Sequence, residues 1–541
     1  MPDISGRQQL DYVWRFGAGT NTRSSEDEIL DDEDAGGVNF GLDLEDRHWK
    51  PRMGFAKLAT ATNTSQINGF AQVHKAGGAL STLIQAGTTV YNWDLSTGFT
   101  SVGTVDAGAR LRGTLESNWT LGDKVLIADL GLRENIKEWD GATFQDLTTT
   151  GVTDLKAKYL FVENERVFAA NLSDSLKRLA HMIAVSGRSD ETAWTVTDRP
   201  TSALGTGDPF QLTTPDLRPV NGLVEAFGTV VFSTREGSMY RFVGETTNDF
   251  VILPLYSYSG AVGDEGVVFV GNDVFYGKQG SIQSLSTSES LGDVSADDLT
   301  RKIYTSKTRF NVKDTSEWIM TYDRARNLLY AFPKCDDRVW VFYKSIWDET
   351  VQQIARRAQA IPTSPWMMWE TQNAATFQPT AVWNMLDANK HRQVYFGDAN
   401  GNIYQMQSGH SDSDSNIKSQ RLSRSLQTPK GAAWDVEGHV IYRAATTAAT
   451  LTLTVEHGGI AVMDQDITIN IPAITLGSTY GGSAHYGGTD YYETAFKGRL
   501  TRQNWTAAGR SSKIQLRATI EGTGDFSIAE IKLRFKTAPQ P

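Results

Sequence analysis

The chain has 541 residues, 40% of them hydrophobic and 21% charged, and its formal net charge is −11. A chain of this length can bury a substantial core and is expected to fold into more than one domain. The acidic balance argues against a protein that grips DNA, because binding to phosphates requires an excess of lysine and arginine. No run of apolar residues is long enough to predict a membrane-spanning segment.

Residues 1–54 are predicted to form an N-terminal arm that includes the first strands. An acidic segment at residues 26–34 is the main feature of this arm. Many carboxylates together could bind a hard cation, but the ordered ligand spacing and the turn glycine of a calcium loop are missing. A solvated acidic arm, or a contact between subunits, is the favoured interpretation.

Strand signals begin near Phe55, as short apolar or alternating runs broken by Gly, Asn and Asp. The clearest lies at residues 394–407, where a strand, a tight Asp-Ala-Asn-Gly turn and a second strand predict a hairpin. Related hairpins begin at five other positions: Val90, Ile136, Val230, Asp273 and Leu328. Hairpins that recur every few tens of residues are typical of a β-propeller, which we assign to residues 55–407. The pattern leaves the number of blades open.

The same region allows three short helices. Residues 297–303 follow a possible cap at Ser295, and residues 348–358 place apolar side chains on one face. The segment that begins at Leu172 fits either a helix or a strand, and we favour the strand because a loop typical of a blade connection follows it.

An aromatic-rich run at residues 364–369, Ser-Pro-Trp-Met-Met-Trp, allows two interpretations. Its tryptophans could stack on a sugar or a base. The favoured interpretation is a strand of the last blade whose tryptophans fill the space between sheets, because propeller blades pack on bulky aromatic residues.

Residues 408–416 are small and polar, which predicts a linker. Beyond it, apolar and polar residues alternate cleanly in four runs: 451–455, 467–471, 514–520 and 531–535. This alternation predicts an antiparallel β-sandwich, assigned to residues 417–541. A glycine-rich stretch at 477–493 is expected to form an exposed loop with aromatic tips. The predicted fold is therefore all-β: a β-propeller with a C-terminal antiparallel β-sandwich and a few short helices.

The search for chemistry is mostly negative. The eight histidines never fall in a zinc-binding spacing, and no Gly-x-Ser-x-Gly motif marks a serine nucleophile. Residues 271–278 partly match a phosphate-binding loop, and residues 398–402 partly match the start of a calcium-binding loop. At both positions a hairpin is the favoured interpretation. The single cysteine, Cys335, lies in a polar turn without a partner. We predict no catalytic, cofactor-binding or metal-binding residue, no cofactor and no enzymatic activity.

Several short strings, none of them catalytic, are spread over most of the chain. They are residues 19–23 (Gly-Thr-Asn-Thr-Arg), 38–40 (Val-Asn-Phe), 51–54 (Pro-Arg-Met-Gly), 186–190 leading to Trp194, 364–366 (Ser-Pro-Trp), and 394–397 with 401–404. Together with the terminal sandwich, these strings resemble the tail nozzle proteins of short-tailed bacteriophages, which are tubular tail or DNA-stabilisation components below the adaptor ring. The usual Arg-Pro-Gly of that family appears here as Pro-Arg-Met-Gly.

The resemblance implies a structural virion protein of the phage tail, made in the host cytoplasm. It implies a homohexameric ring with one propeller per subunit, which continues the DNA channel below the adaptor, retains packaged DNA and supports a tail fibre or needle. The partners would be other copies of the chain, the tail adaptor protein and tail fibre or tip proteins. DNA would pass without specific binding, so we expect Asp and Glu to dominate the channel wall, because each neutralised phosphate adds affinity.

Two alternatives from other classes stay open. One is a β-propeller tail protein that binds carbohydrate or hydrolyses glycosides, because paired carboxylates for that reaction can lie far apart in sequence. The other is a cellular propeller scaffold that binds other proteins. The sequence does not give the ring stoichiometry, the host, or the faces that contact adaptor and fibres.

Overall fold

The computed structural model describes most of the chain. The described residues are 9–22, 29–42, 48–75, 77–114, 124–163, 165–173, 178–195, 208–226, 228–244, 247, 249–256, 260–271, 273–288, 293–303, 317–334, 338–349, 363–371, 378–413, 415–427, 433–443, 448–457, 460–461, 466–471, 500–510, 513–521 and 527–537. Almost all of the regular structure in these ranges is β-strand.

The strands fall into an arm, seven blades and a C-terminal group. The arm holds β1 (Gln9–Arg15), β2 (Phe40–Leu42) and β3 (Trp49–Pro51), and β4 (Phe55–Thr60) follows it directly. Blades 1 and 2 hold β5 (Ile67–His74), β6 (Leu80–Ala86), β7 (Thr89–Trp93), β8 (Phe99–Thr104), β9 (Leu111–Gly113), β10 (Val125–Asp129), β11 (Lys137–Trp139) and β12 (Phe144–Asp146). Blades 3 and 4 hold β13 (Lys156–Glu163), β14 (Arg166–Ser173), β15 (Arg178–Val185), β16 (Phe210–Thr213), β17 (Val220–Ala226), β18 (Thr229–Thr234), β19 (Met239–Val243) and β20 (Val251–Tyr256).

The remaining strands complete the propeller and build the sandwich. Blades 5 and 6 hold β21 (Val267–Val270), β22 (Asp273–Lys278), β23 (Ser281–Ser288), β24 (Asp293–Asp298), β25 (Trp318–Asp323), β26 (Leu328–Pro333), β27 (Val339–Tyr343) and β28 (Trp366–Trp369). Blade 7 holds β29 (Ala381–Leu386), β30 (Arg392–Gly397) and β31 (Asn402–Met406). The C-terminal group is β32 (Ser411–Asp412), β33 (Ser415–Asn416), β34 (Lys418–Leu422), β35 (Leu426–Gln427), β36 (Ala433–Arg443), β37 (Ala449–His457), β38 (Ile460–Ala461), β39 (Ile467–Ile471), β40 (Leu500–Arg510), β41 (Lys513–Glu521) and β42 (Ser527–Thr537).

The described part of the chain forms a seven-bladed β-propeller. Blades 3 to 6 are separate four-stranded antiparallel sheets, and blades 1 and 2 are joined into one sheet by a parallel contact between Phe70 and Arg112. The inner strands of successive blades lie beside one another around an axis, with β10 rather than β9 of blade 2 beside β13, and β29 of blade 7 returns to β5 of blade 1. The predicted all-β propeller is therefore confirmed.

The propeller ring is closed by the N-terminal side of the chain. Blade 7 supplies three strands of its own, and β4 pairs with β31 as the fourth, from Met406 opposite Phe55 to Asn402 opposite Thr60. Because these are backbone hydrogen bonds between distant parts of the chain, opening the ring requires breaking a ladder as well as separating packed side chains.

All six predicted hairpins are pairs of consecutive strands within blades. The hairpins at Val230, Asp273, Leu328 and Val394 are the second and third strands of blades 4, 5, 6 and 7. The two looser copies, with a Trp-Asp before the turn, are instead the third and fourth strands of blades 1 and 2. The segment that begins at Leu172 is also confirmed as strand rather than helix, since β14 and β15 pair across it.

The helical predictions are less accurate. Asp297 and Asp298 belong to β24, where they pair with β23, and only a single 3₁₀ turn follows, at Arg301–Ile303. Strand pairing already satisfies the backbone N–H and C=O groups at the start of the predicted helix. The prediction of a helix from residue 297 was therefore wrong. Residues 344–349 are helical, and the rest of the helix predicted at 348–358 lies outside the described residues.

The C-terminal group forms the predicted antiparallel sandwich. One sheet has the order β2-β3-β42-β36-β40 with β1 on β42, and the other has β34-β41-β37-β38 with β35 on β41 and β39 on β37. The apolar residues of the alternating runs, such as Leu451, Leu453 and Ile520, are buried. The glycine-rich stretch at 477–493 lies outside the described residues.

Arm, sandwich and propeller share one hydrophobic core. The arm strand β1 pairs with β42 from Gln9 opposite Lys536 to Arg15 opposite Glu530. Side chains of the arm (Trp14, Trp49), of blades 6 and 7 (Tyr330, Phe396) and of the sandwich (Leu451) belong to the same buried cluster. In the expected linker, β32 and β33 form a small hairpin beside β4.

Candidate functional site

The arm meets blade 6 and the sandwich in a buried polar cluster, which we call the hub. Its members are Gly19, Asn21, Glu33, Asp34, Asn39, Arg52, Lys302, Ser364, Trp366, Asp412 and Arg421. Charged groups in such an environment are expected only where each has a partner, because desolvation of an isolated charge is costly.

The central ion pair of the hub joins Asp34 to Arg421, with both side chains fully buried and 3.0 Å between their charged atoms. Backbone N–H groups of Gly36 and Leu422 donate to the same carboxylate, at 2.7 and 3.0 Å. The Arg421 guanidinium lies 4.5 Å from the ring centroid of Phe40. Burial raises the pKa of Asp34 and lowers the pKa of Arg421, while their pairing opposes both shifts.

Glu33 is the second buried carboxylate. Its oxygens accept hydrogen bonds from the Asn21 amide at 2.7 Å and the Ser364 backbone N–H at 2.9 Å, and Lys302 supplies the opposite charge. The expectation of a solvated acidic arm is therefore wrong for Glu33 and Asp34, because each carboxylate has its own cation and backbone donors. Residues 26–28 of the acidic segment lie outside the described residues.

Arg52 forms the third ion pair. Its guanidinium holds both oxygens of Asp412, at 2.8 and 2.5 Å, and its Nε donates to Asn39 Oδ1 at 2.9 Å. Such two-pronged contacts are the strongest that arginine makes with a carboxylate. Asn39 has a left-handed backbone, with φ of 59°, and its N–H donates to the Met368 carbonyl oxygen at 2.9 Å. The arm is thereby fixed to blade 6 and to the segment after blade 7.

Four of the strings that carry the family resemblance converge on the hub. Gly19 and Thr20 donate backbone hydrogen bonds to the carbonyl oxygens of Ser364 and Trp366, at 2.7 and 2.6 Å. A Cβ at Gly19 would overlap the Trp366 carbonyl oxygen, so this approach requires glycine. The string at 186–190 lies instead after β15 of blade 3, and the strings at 394–397 and 401–404 form the hairpin of blade 7.

The run at residues 364–369 is confirmed as a strand whose tryptophans pack between sheets. Trp366 and Trp369 are fully buried, and Trp366 contacts Phe342 at 4.9 Å between ring centroids. The strand belongs to blade 6 of seven rather than to the last blade.

A second candidate site is the cavity on the propeller axis, which we call the tunnel. It encloses about 380 Å³ and is lined mainly by the inner strands of blades 2 to 7. The first strands run in the same direction around the ring, as the parallel contact between Glu265 and Ile319 illustrates. One end of the tunnel is therefore formed by the beginnings of these strands, and the other end by their last residues.

Ion pairs cross one end of the tunnel, which we call the bridged end. Arg112 of blade 2 meets Glu265, just before blade 5, at 2.5 Å, and Arg110 meets the same carboxylate at 2.5 Å. Lys158 of blade 3 pairs with Asp264 at 3.0 Å. Burial alone would raise the pKa of Glu265, but Arg112 and Arg110 outweigh it and hold the pKa below its usual value.

The other end, which we call the exposed end, carries Glu163, Glu225, Arg324 and Arg392. Glu163 ends β13 and Glu225 lies one residue before the end of β17. Burial raises the pKa of Glu163, and the neighbouring Glu225 raises it further. Arg324 follows β25, and Arg392 lies opposite Leu386, the last residue of β29. The two carboxylates are therefore neighbours of like charge, whereas charges of opposite sign meet at the bridged end.

The sequence predicted no site residue, so the four residues of the exposed end were missed. Glu163, Glu225 and Arg324 lie at or near the end of the first strand of a blade, and Arg392 begins the second strand of blade 7. Only the order of the blades brings these four residues to one end of the tunnel. The imitation of a calcium loop at 398–402 is a tight turn, in which Asp398 accepts N–H bonds from Asn400 and Asn402, both at 2.8 Å. Within the described ranges, no group of three His, Cys, Asp or Glu side chains is placed to hold a metal ion, and no helix could cross a membrane.

Comparisons with known proteins do not indicate a function for the chain. No family model matches the chain, and no curated protein matches it. The computationally designed Ika8 protein aligns over 65% of this chain and 99% of its own length, with 14% identity and a TM-score of 0.35. BBS1N in complex with ARL6DN aligns over 67% of this chain and 100% of its own, with 10% identity and a TM-score of 0.40. Similarities of this strength carry no argument about what the chain does.

Proposed function

We propose that the chain is a structural virion protein that forms the ring-shaped tail nozzle of a short-tailed bacteriophage. In this role it continues the DNA channel below the adaptor, retains packaged DNA and supports a tail fibre or needle. The observation that carries the proposal is the hub, where four strings of the resemblance tie arm, propeller and sandwich together. The work of such a protein is mechanical rather than catalytic.

The hub suits this role because a channel subunit must keep its shape under load. Three ion pairs with low exposure link segments far apart in sequence: Asp34 with Arg421, Glu33 with Lys302 and Arg52 with Asp412. Breaking such a pair leaves an uncompensated buried charge, so relative movement of the three parts is costly.

We infer that the DNA channel lies between subunits and not along the propeller axis. A tunnel of about 380 Å³ has the size of a small-molecule site, and ion pairs cross its bridged end. The net charge of −11 favours a wall that lets a polyanion slide past. A ring of six copies, with the adaptor and the fibre or tip proteins as neighbours in the virion, is the arrangement that the resemblance supplies.

Imaging tests the proposal directly. We expect electron cryo-microscopy of the virion that contains this chain to show six copies around a channel wide enough for duplex DNA, with acidic side chains prevailing on its wall. Purified protein, alone and with the adaptor ring, should form rings at least in the presence of the adaptor, as measured by mass photometry. A chain that stays monomeric with the adaptor, or a channel wall dominated by Lys and Arg, would contradict the proposal.

A polysaccharide depolymerisation assay on the purified protein tests the carbohydrate alternative. A nozzle should leave the host surface polysaccharide intact. Release of oligosaccharides would replace the structural role with a glycoside-hydrolysing one.

A further inference from the structure

The exposed end of the tunnel has the features of a small-molecule site that is separate from any role in a ring. It lies at the mouth of a cavity of about 380 Å³, within the range that holds small ligands. The walls are largely apolar and include Phe161, Leu223, Val268 and Trp383. Apolar walls with a few charged groups at fixed places are typical of sites that select a ligand by both shape and charge.

The charges at this end are separated by sign around the ring. Glu163 and Glu225 come from the adjacent blades 3 and 4, while Arg324 and Arg392 come from the adjacent blades 6 and 7. Blade 5 separates the two groups on one side, and blades 1 and 2 separate them on the other. Acidic and basic groups therefore face each other across the mouth.

The carboxylate pair has a particular need for a cation. Besides burial, the charge that acts on Glu163 is the negative charge of Glu225, and both influences raise its pKa. A positive group bound between the two carboxylates would relieve this repulsion, and its pairing with the partly buried Glu163 would be stronger than a pair in water. The guanidiniums across the mouth offer the complementary attraction to an anionic group.

We propose that the exposed end binds a small ligand in which a short apolar chain joins an ammonium group to a carboxylate. The ammonium lies between Glu163 and Glu225, the apolar chain crosses the mouth over Trp383, and the carboxylate faces Arg324 and Arg392. The simplest probe of this class is 6-aminohexanoate. Hexylamine and hexanoate each retain one of its two charged groups.

Isothermal titration calorimetry of the full chain with these three probes tests the proposal. We expect 6-aminohexanoate to bind about tenfold or more tightly than either hexylamine or hexanoate, because each of those loses one charge-assisted contact. The variant Glu163→Gln combined with Glu225→Gln should weaken 6-aminohexanoate and hexylamine by about tenfold. It should leave hexanoate unchanged or slightly tighter.

Two variants serve as controls. Arg392→Gln should weaken 6-aminohexanoate and hexanoate while sparing hexylamine, which is the opposite selectivity. Glu236→Gln removes a carboxylate from the β18–β19 turn of blade 4, outside the residues that line the tunnel, and should change nothing. Thermal unfolding of each variant establishes that it is folded.

The proposal fails if no probe binds at about 10 mM, or if the doubly substituted variant binds 6-aminohexanoate as well as the unaltered chain. Equal affinity for hexanol and for the charged probes would also overturn it, because apolar contact alone would then account for binding. These outcomes are independent of whether the chain forms a ring.

Discussion

The hub and the exposed end of the tunnel both bring charged side chains together, but the hub buries its charges in pairs, whereas Glu225 and Arg324 at the exposed end face solvent. Each hub carboxylate has its own cation: Asp34 with Arg421, Glu33 with Lys302, and Asp412 with Arg52. At the exposed end, Glu163 and Glu225 are like-charged neighbours, and the guanidiniums lie on the far side of the ring. Paired charges fix a shape, whereas like charges held together favour a bound counter-charge.

The largest expected effect comes from breaking the central pair of the hub. Arg421→Met keeps the bulk of the side chain but leaves Asp34 buried without its cation. We expect a loss of about 3–5 kcal/mol in the free energy of unfolding, because removing one partner strands a desolvated charge. The midpoint and slope of urea unfolding measure it.

Arg424→Met is the matched control, three residues further along the chain. Arg424 lies 2.9 Å from Asp31, but their side chains are 31% and 52% exposed, so water partly screens the pair. The expected loss is about 0–1 kcal/mol. Equal losses of unfolding free energy in the two variants would show that burial does not make the hub pair more important for stability than a partly exposed pair.

A smaller effect is expected where the backbone of the arm closely approaches the backbone of blade 6 or of the C-terminal group. A Cβ at Gly54 would overlap the Ser411 carbonyl, and one at Gly19 would overlap that of Trp366. Gly54→Ala and Gly19→Ala should each cost about 1–3 kcal/mol of unfolding free energy, the range for inserting a methyl group into packed structure.

Gly36→Ala tests whether this cost comes from the close approach. No atom lies within 4 Å of a Cβ at Gly36, so the change should stay within about 0.5 kcal/mol. A cost at Gly36 as large as that at Gly54 would mean that loss of glycine, rather than overlap with a neighbouring backbone, destabilises the arm.

The sequence predicted the hairpins of the propeller better than it predicted the hub or the exposed end of the tunnel. Hairpins were found because a strand, a turn and a second strand are adjacent in the chain, and each leaves a local pattern. The looser copies at Val90 and Ile136 were recognised, but not that they are the third and fourth strands of their blades. Local pattern identifies a hairpin without giving its place in a sheet. The fourth strand of blade 7 was likewise not predicted, because β4 belongs to that blade only through its pairing with β31.

The sequence indicated the hub only through the short strings that resemble the nozzle family, and not through its ion pairs. Arg52 and Asp412 are 360 positions apart, and Asp34 and Arg421 are 387 apart, so neither pair leaves a spacing that sequence can reveal. The acidic segment was assigned to solvent because a run of carboxylates is usually solvated. The exposed end left no signal at all, since Glu163 and Glu225 are isolated carboxylates in different blades.

The smallest effect is expected at the exposed end, and it depends on pH. The folded pKa of Glu163 is raised, first by burial and then by Glu225. Its favourable contribution is therefore complete below the ordinary pKa of about 4.3 and is lost as the pH rises through the raised folded value. Glu163→Gln carries no charge and avoids that loss, so at pH 7 it should be more stable than the unaltered chain by about 0.5 kcal/mol or less.

Thermal unfolding midpoints between pH 4 and pH 8 measure this effect. The advantage of Glu163→Gln should shrink as the pH falls toward 4, because Glu163 then becomes increasingly protonated in the folded and unfolded chain alike. Glu236→Gln, outside the tunnel, should show no such trend. A difference that is constant with pH would mean that folding does not change the pKa of Glu163. A difference that grows toward acid would mean that a cation stabilises Glu163 as a carboxylate, so that the exposed end would resemble the hub.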